Sequence, residues 1–283
     1  SIVLQNSGQS ISTINFAGSG TIALEGTLFE TLRTINGKDS NANINVKTQS
    51  NGMAIDLGRG NDSLIVVDGS VTLDSGAGDD SVSLTGGNGN FIETGIGDDN
   101  VGISTGQNRI VLGAGRDTIA VTGGTNTISS QDGDDTATLS GGVNTFLGGG
   151  GNDSVIVSGG VNTLETESDN DQIEVSGGTN TISSGDGNDN ITLTGGTNHI
   201  RAGDGDDTVT ASGGASNVDI RTLVGGSGND TLNVISTGTV TLPTFSEFEQ
   251  VHITDTVHQS LNFIIFFLFI ISCSKSNNNI IYT

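Results

Sequence analysis

The chain has 283 residues, of which 45 are glycine and one is proline; hydrophobic residues make up 32%, and 32 acidic against 9 basic side chains give a formal charge of -23. So few apolar side chains do not fill the core of an ordinary globule of this length, and so negative a field excludes nucleic acid and anionic membrane surfaces as natural partners. The single cysteine, Cys273, excludes an intramolecular disulfide framework. What remains is an acidic disordered chain or a thin repetitive fold completed by bound cations.

Residues 1–56 read as degenerate N-terminal coils and a cap. Ile11, Ile14, Phe16, Ile22 and Leu24 are spaced like strand residues, and Ile44, Val46, Ile55 and Leu57 lead into the regular array. The segment TLFETLRTI, 27–35, is expected to be a short helix or a capping loop. The chain begins with Ser1 and shows no signal peptide, as expected of a processed product or a fragment.

Residues 57–235 are a repeat. Turns of the form Gly-x-Gly-x-Asp end at Asp62, Asp80, Asp99, Asp117, Asp135, Asp153, Asp171, Asp189 and Asp207, with spacings of 18, 19 and then 18 throughout, and Asp230 follows after 23. The turn glycines are Gly58, Gly60, Gly76, Gly78, Gly95, Gly97, Gly113, Gly115, Gly133, Gly149, Gly151, Gly185, Gly187, Gly203, Gly205, Gly226 and Gly228. Halfway through each period lies a second turn, GGTN or GGVN in its clearest copies, with Asn108, Asn126, Asn144, Asn162, Asn180 and Asn198 in a file 18 residues apart. Between turns apolar and polar residues alternate, which is a strand signal. Ile119 and Val121, Val155 and Val157, Ile173 and Val175, and Ile191 and Leu193 are expected to point inward. So are Ile110, Ile128, Phe146, Leu164, Ile182 and Ile200 on the opposite strand, with the bulky Phe146 causing a local bulge. Each 18-residue period is then one coil, strand–turn–strand–turn. Coils stacked at strand spacing would make a rod roughly 45 Å long.

Residues 236–262 are expected to form a C-terminal cap. Residues 263–283 are an atypical tail, in which Phe263 to Ile271 run unbroken and apolar. That run is much shorter than the ~20 residues a membrane-spanning helix needs, so no transmembrane span is expected. A buried strand, an interface strand, part of an export signal and an altered reading frame at the gene's end all fit it.

Stacking would place one aspartate above another about every 5 Å, and like charges in such a file repel unless they are protonated or bind cations. Calcium suits the site best, because it accepts six to eight oxygens, carboxylate and carbonyl alike, with loose geometry. Asp and Asn also cap turns in metal-free β-helices, and spacing alone leaves that alternative open. Asp79, Asp98, Asp134 and Asp206 are expected to be solvated, whereas Asp132, Asp186 and Asp204 either point outward or approach the ions.

The turns resemble the repeats-in-toxin, or haemolysin-type, nonapeptide Gly-Gly-x-Gly-x-Asp followed by alternating apolar residues. The best copy is GGGGNDSVI with Gly148, Gly149, Gly151, Asp153 and Val155, and GAGDD 76–80, GDGND 185–189, GDGDD 203–207 and GGSGND 225–230 are close. The resemblance covers about residues 57–235. It implies an all-β fold, a right-handed parallel β-roll or β-helix solenoid of about 18 residues per coil, with several Ca2+ ions held between successive turns. The metal ligands it implies are the ten turn-ending aspartates, Asp62, Asp80, Asp99, Asp117, Asp135, Asp153, Asp171, Asp189, Asp207 and Asp230, together with glycine-region carbonyls. It further implies a protein secreted by the type I route or held at the bacterial cell surface, folding on meeting extracellular calcium. Two departures stand out. The family usually places an aspartate at both edges, whereas here the alternate turns carry asparagine, so calcium is expected mainly on one edge and a neutral asparagine ladder on the other. Glu167 and Asp169 replace both glycines of one turn, Gln131 replaces an early glycine, and Arg116 adjoins Asp117, so weaker binding is expected there.

No catalytic constellation stands out. His199 sits at an outward position, His252 and His258 lie six apart in the cap without a metal-site pattern, and no nucleophile motif is present. The chain is therefore expected not to be an enzyme, any catalysis belonging to another part of its parent protein. Three roles fit: a structural or adhesive extracellular rod meeting cell-surface or matrix components; the folding and secretion module of a larger secreted enzyme or toxin; and a calcium-dependent ice-binding β-helix. The last draws on the outward threonines at 127, 145, 163 and 181, a file flanked by Arg109 and His199.

Overall fold

The computed structural model describes residues 11–24, 31–213, 217–236, 239–255 and 279–282. All described strand pairings are parallel, and each strand within the array is bonded to its counterpart one coil earlier and one coil later. Thr118–Val121, for example, lies between Asn100–Ile103 and Thr136–Leu139. The protein is thus an all-β parallel solenoid with coils of about 18 residues.

Two strand types alternate. A four-residue strand follows each turn-ending aspartate from Asp62 to Asp189, as in Ser154–Val157 or Gln172–Val175, and a six-residue one follows Asp207 and Asp230. An eight-residue strand, such as Thr125–Asp132 or Val143–Gly150, runs through the asparagine and into the glycine turn. The period-2 pleat sends alternate side chains into a narrow interior. Ile119, Val121, Val155, Val157, Ile173, Val175, Ile191 and Leu193 form one apolar wall, and Ile110, Ile128, Phe146, Leu164, Ile182 and Ile200 the other, all buried. Each such side chain contributes about 1.5–3 kcal/mol by leaving water. Because a solenoid coil has only its neighbours to pack on, the coils support one another in series.

Phe146 does not cause a bulge. It is fully buried and pairs in register with Ile128 and Leu164. Within the same coil the facing wall carries the small Ala137 where its neighbours above and below carry Ile119 and Val155, which leaves room for the ring.

The glycines follow from the stacking of the turns. At Gly133, with φ 144°, an added Cβ would collide with the carbonyl of Gly115 in the coil below, so the turn tolerates only hydrogen there. Gln131, Glu167 and Asp169 enter the same left-handed region at φ 76°, 77° and 77°, a conformation that costs about 1–3 kcal/mol for a residue with a side chain. Asp169 recovers part of this, since its Oδ2 accepts the Gly151 N–H at 3.1 Å.

At the N-terminal end, Thr13–Leu24 pairs with Thr34–Thr48, with an irregularity between Asn15 and Ala17. Thr34 and Ile35 already belong to that second strand and Leu32 is buried, so 31–35 is not helical, and 25–30 lies outside the described residues. The five extra residues before Asp230 fall in two places, four in the connection between Ala211 and Val218 and one at Arg221, where the pairing with Asn198 and His199 shifts register. Beyond the repeats, Gln250–Asp255 adds a further strand on Thr231–Ser236 and in turn pairs with Asn279–Tyr282. The apolar run 263–271, Cys273 and His258 lie outside the described residues.

Candidate metal centre

The ten turn-ending aspartates, from Asp62 and Asp80 through to Asp207 and Asp230, lie in one buried file, each 0–3% exposed. The file follows from the strand register: the aspartate ends the turn just before each of these shorter strands, at a position whose pleat points inward. Within it the carboxylates are wired identically. Oδ1 accepts the N–H of the preceding aspartate, from Asp62 N–H to Asp80 at 2.7 Å through Asp153 N–H to Asp171 at 2.8 Å to Asp207 N–H to Asp230 at 2.9 Å. Ile44 N–H plays the same part toward Asp62 at 2.6 Å. The second oxygen, Oδ2, is buried in all ten and has no hydrogen-bond partner. An unpaired buried charged oxygen is costly, and ten in one row require an explanation.

Burial is the largest influence on these carboxyls and raises every one of them. Asp153 is pushed up to about 8, and Asp62, Asp117 and Asp171 to about 7. Asp80, Asp207 and Asp230 rise to about 6, and Asp99, Asp135 and Asp189 are also raised. The N–H bond to Oδ1 opposes the shift, and where row neighbours contribute, as Asp171 and Asp135 do at Asp153, they add to it.

A buried hydroxyl row lies beside the carboxylates and was not anticipated from the sequence. Ser75, Thr94, Ser130, Thr166 and Ser184 stand five residues before Asp80, Asp99, Asp135, Asp171 and Asp189, and partly offset the rise in those carboxyls. Each hydroxyl proton, however, is directed at a main-chain carbonyl of the next coil, as from Thr94 Oγ1 to Leu112 O at 2.7 Å and from Ser184 Oγ to Ala202 O at 2.8 Å. The Oδ2 atoms therefore remain unsatisfied. At the same position before Asp153 stands Gly148, where an added Cβ would strike Asp153 Oδ2 and lie 2.6 Å from Thr166 O. A bare carboxylate oxygen and a carbonyl oxygen of the next coil thus face one small space.

These observations fit a hard cation. The polar atoms facing that space are oxygens, carboxylate and carbonyl, of the kind calcium takes. Among the described residues no three His, Cys, Asp or Glu side chains converge, so an ion here must draw on one or two carboxylates completed by main-chain oxygens.

The opposite edge is closed. Asn108, Asn126, Asn144, Asn162, Asn180 and Asn198 are buried, and the structure adds Asn90 to their file. Each side-chain amide from Asn90 to Asn180 donates to the Oδ1 of the next asparagine at 2.8–2.9 Å. From Asn108 onward the second N–H donates to the carbonyl three residues earlier, as from Asn144 to Gly141 O at 2.9 Å. No side-chain oxygen or nitrogen in that file lacks a partner.

A third file runs along the outside of the aspartate turns. Asp79, Asp98, Asp134 and Asp206 are exposed, as expected, but not merely solvated: their Oδ1 atoms accept the N–H of Asp98, Arg116, Asn152 and Asn229 at 2.9–3.1 Å. Asn43, Asn61, Asn152, Asn170 and Asn188 continue the pattern. Asp132, Asp186 and Asp204, two residues earlier in their turns, are exposed. His199 Nδ1 lies 3.0 Å from Thr222 Oγ1, and His252 Nε2 lies 3.5 Å from Gln250 Oε1, neither of them in the aspartate file.

Among the described residues no helix is long and apolar enough to cross a membrane. Neither a curated protein nor a solved structure matches the chain. Six segments, 56–91, 104–137, 121–155, 156–191, 192–215 and 222–233, match the profile of the RTX calcium-binding nonapeptide repeat, and together they span more than half of the sequence. The matched units are structural rather than catalytic, and they contain every member of the aspartate file but Asp99. The chain belongs to the RTX calcium-binding nonapeptide repeat family and is a calcium-binding repeat protein folded as a parallel β-helix.

Proposed function

We propose that this chain is an extracellular structural rod whose repeat region, 57–235, folds as calcium loads along the aspartate edge. The observation that carries the reading is the row of ten buried Oδ2 atoms without partners. Calcium supplies the charge that the row lacks. The carboxylates from Asp62 to Asp230 would hold the ions with main-chain oxygens of the turns, while Oδ1 stays committed to the N–H of the coil below. The asparagine edge takes no ion in this reading, because its amides already satisfy one another. Extracellular calcium near a millimolar suits sites of modest affinity, and binding to the folded state alone adds stability that grows with free calcium. Export before loading would keep the chain unfolded until it meets the ion, which places it outside the cell or on its surface.

The rod reading is preferred to ice binding on the shape of the outer face. The threonine file 127, 145, 163 and 181 is in register, but it is flanked by Arg109 and His199, and the adjacent file carries the exposed Val143 and Val161. The test is far-ultraviolet circular dichroism during a calcium titration from a chelated start, with magnesium as control. A cooperative gain of β signal with calcium alone is expected. A fold complete in chelator and indifferent to calcium would overturn the reading.

A further inference from the structure

The coil after Asp230 has no glycine turn and lies beyond the last matched segment, which ends at residue 233. It nevertheless continues the wiring of the aspartate edge. Gln250 pairs with Thr231, so Glu249 stands where the next aspartate of the row would stand. Its Oε2 accepts the Asp230 N–H at 2.8 Å, the bond made by Oδ1 in every earlier coil. Glu247, two residues before it, sits at φ 61°, in the left-handed region, and by strand register it lies opposite Gly225, where Thr166 lies opposite Gly148. That conformation turns its carbonyl toward Gly225: an added Cβ there would strike Glu247 O and lie 2.7 Å from Asp230 Oδ2.

Gly225 stands five residues before Asp230, as Gly148 does before Asp153. Of the ten residues at this position only these two lack a side chain, and both open onto the same pair of groups, an unpartnered aspartate Oδ2 and a carbonyl oxygen of the following coil. Asp230 is fully buried, so its free oxygen faces this space and not solvent. Here a second carboxylate, Glu249, adjoins it.

We propose that the coil around Glu247–Gln250 is not only a cap but completes a terminal calcium site, held by Asp230 Oδ2, the Glu247 carbonyl oxygen and the Glu249 carboxylate. The inference rests on the calcium reading of the aspartate edge and extends it to residues outside the repeats. The site ties the last strand to the array, because one ion draws on Asp230 in one coil and on Glu247 and Glu249 in the next. The left-handed Glu247 is then a positioning residue, strained so as to aim its carbonyl.

The test counts calcium ions bound per full-length chain by equilibrium dialysis, comparing the unaltered protein with Glu249→Gln. Gln keeps an oxygen for the Asp230 N–H and removes the charge. Glu174→Gln, on the outward face of Gln172–Val175, is the control. One ion fewer is expected for Glu249→Gln, at a calcium concentration that just saturates the unaltered chain, and no change for the control. Hydrogen exchange supplies a measurement independent of variants: calcium should protect the amides of Gln250–Asp255 in the unaltered chain. An unchanged ion count in Glu249→Gln, or no calcium-dependent protection of that strand, overturns the terminal site while leaving the calcium edge standing. An unaltered chain that binds no calcium overturns both.

Discussion

The two edges of the solenoid have the same spacing and burial but opposite chemistry. On one edge an amide repeats, carrying donors and an acceptor, so each residue satisfies the next and the file closes on itself. On the other a carboxylate repeats, which only accepts, and a main-chain N–H reaches just one of its two oxygens. Asn and Asp have nearly the same shape, so the backbone barely distinguishes them. A file of amides is therefore a complete structural element, whereas a file of carboxylates in the same place is complete only with a cation or a proton added.

The strongest way to break this contrast is to put a carboxylate into the closed file. Asn144→Asp removes the donors to Gly141 O and Asn162 Oδ1 and turns the Asn126 amide toward a lone buried charge. With no ligand set on that edge to receive an ion, destabilisation of about 3–5 kcal/mol is expected, read as a lower urea midpoint in saturating calcium. A variant whose added calcium restores the midpoint would show that the asparagine edge also takes the ion.

The reciprocal exchange, Asp153→Asn, should act in opposite directions in the two states of the protein. In chelator, with an excluded osmolyte present to hold the chain folded, the amide removes an unpaired acid oxygen and gains a donor toward Thr166 O, which should stabilise the fold by about 1–3 kcal/mol and so raise the midpoint. In saturating calcium the variant should fall below the unaltered chain, because adjacent coils lose a charged ligand. A midpoint shifted equally in both states would separate Asp153 from calcium.

Much of this contrast was legible in the sequence. The 18-residue spacing of aspartates and asparagines fixed the coil, both edges and the inward walls, because a solenoid places residues in space by period alone. The hydroxyl row was missed because Ser75, Thr94, Ser130, Thr166 and Ser184 share their column with Leu57, Leu112, Gly148, Ala202 and Gly225, and no pattern of residue type marks it. Glu249 was missed because it lacks the glycines that identify a turn, and Glu247 reaches the same backbone region under strain. Phe146 was expected to distort its layer because one column was read without the facing one, where Ala137 compensates. The outer file leaves a visible signal, Asp or Asn immediately before nearly every row aspartate, but that pattern alone does not distinguish a hydrogen-bonded file from solvated charge.

Acidity should stand in for calcium on one edge only. The row carboxyls, at about 6 to 8 where values are resolved, lie above the 3.8 of the ordinary group. The folded chain thus binds protons more tightly than the unfolded one. The resulting stability is fully present below about 3.8 and is lost as pH rises through about 6 to 8. In chelator the β signal and urea midpoint should therefore rise as pH falls from 8 to 5, whereas the asparagine edge does not titrate. Calcium affinity should weaken over the same window, since protons and ions compete for one set of oxygens. A chelated midpoint independent of pH between 5 and 8 would mean that the row is not held as the burial of Oδ2 implies.

The smallest expected effect lies outside both edges, where the outer file has one gap. From Asn43 to Asp98 each side-chain oxygen accepts the next coil's N–H, ending at Arg116 N–H on Asp98 at 2.9 Å. A guanidinium offers no acceptor, so nothing on Arg116 can take the Asp134 N–H, and the file resumes only at Asp134 with Asn152 N–H at 2.9 Å. Arg116→Asn should close the gap and slow exchange of the Asp134 amide, with a gain of about 0.5–1 kcal/mol at most. The outer file is open to water, so the bond replaces one to solvent. The gain in stability should appear with and without calcium, because the bond forms on the turn surface and not in the buried row; the expected weakening of ion binding by Arg116 beside Asp117 should be small in comparison, since that charge is solvated. If closing the gap instead changed calcium affinity by more than it changed stability in chelator, the outer file would have to be counted with the aspartate edge as part of the ion's surroundings.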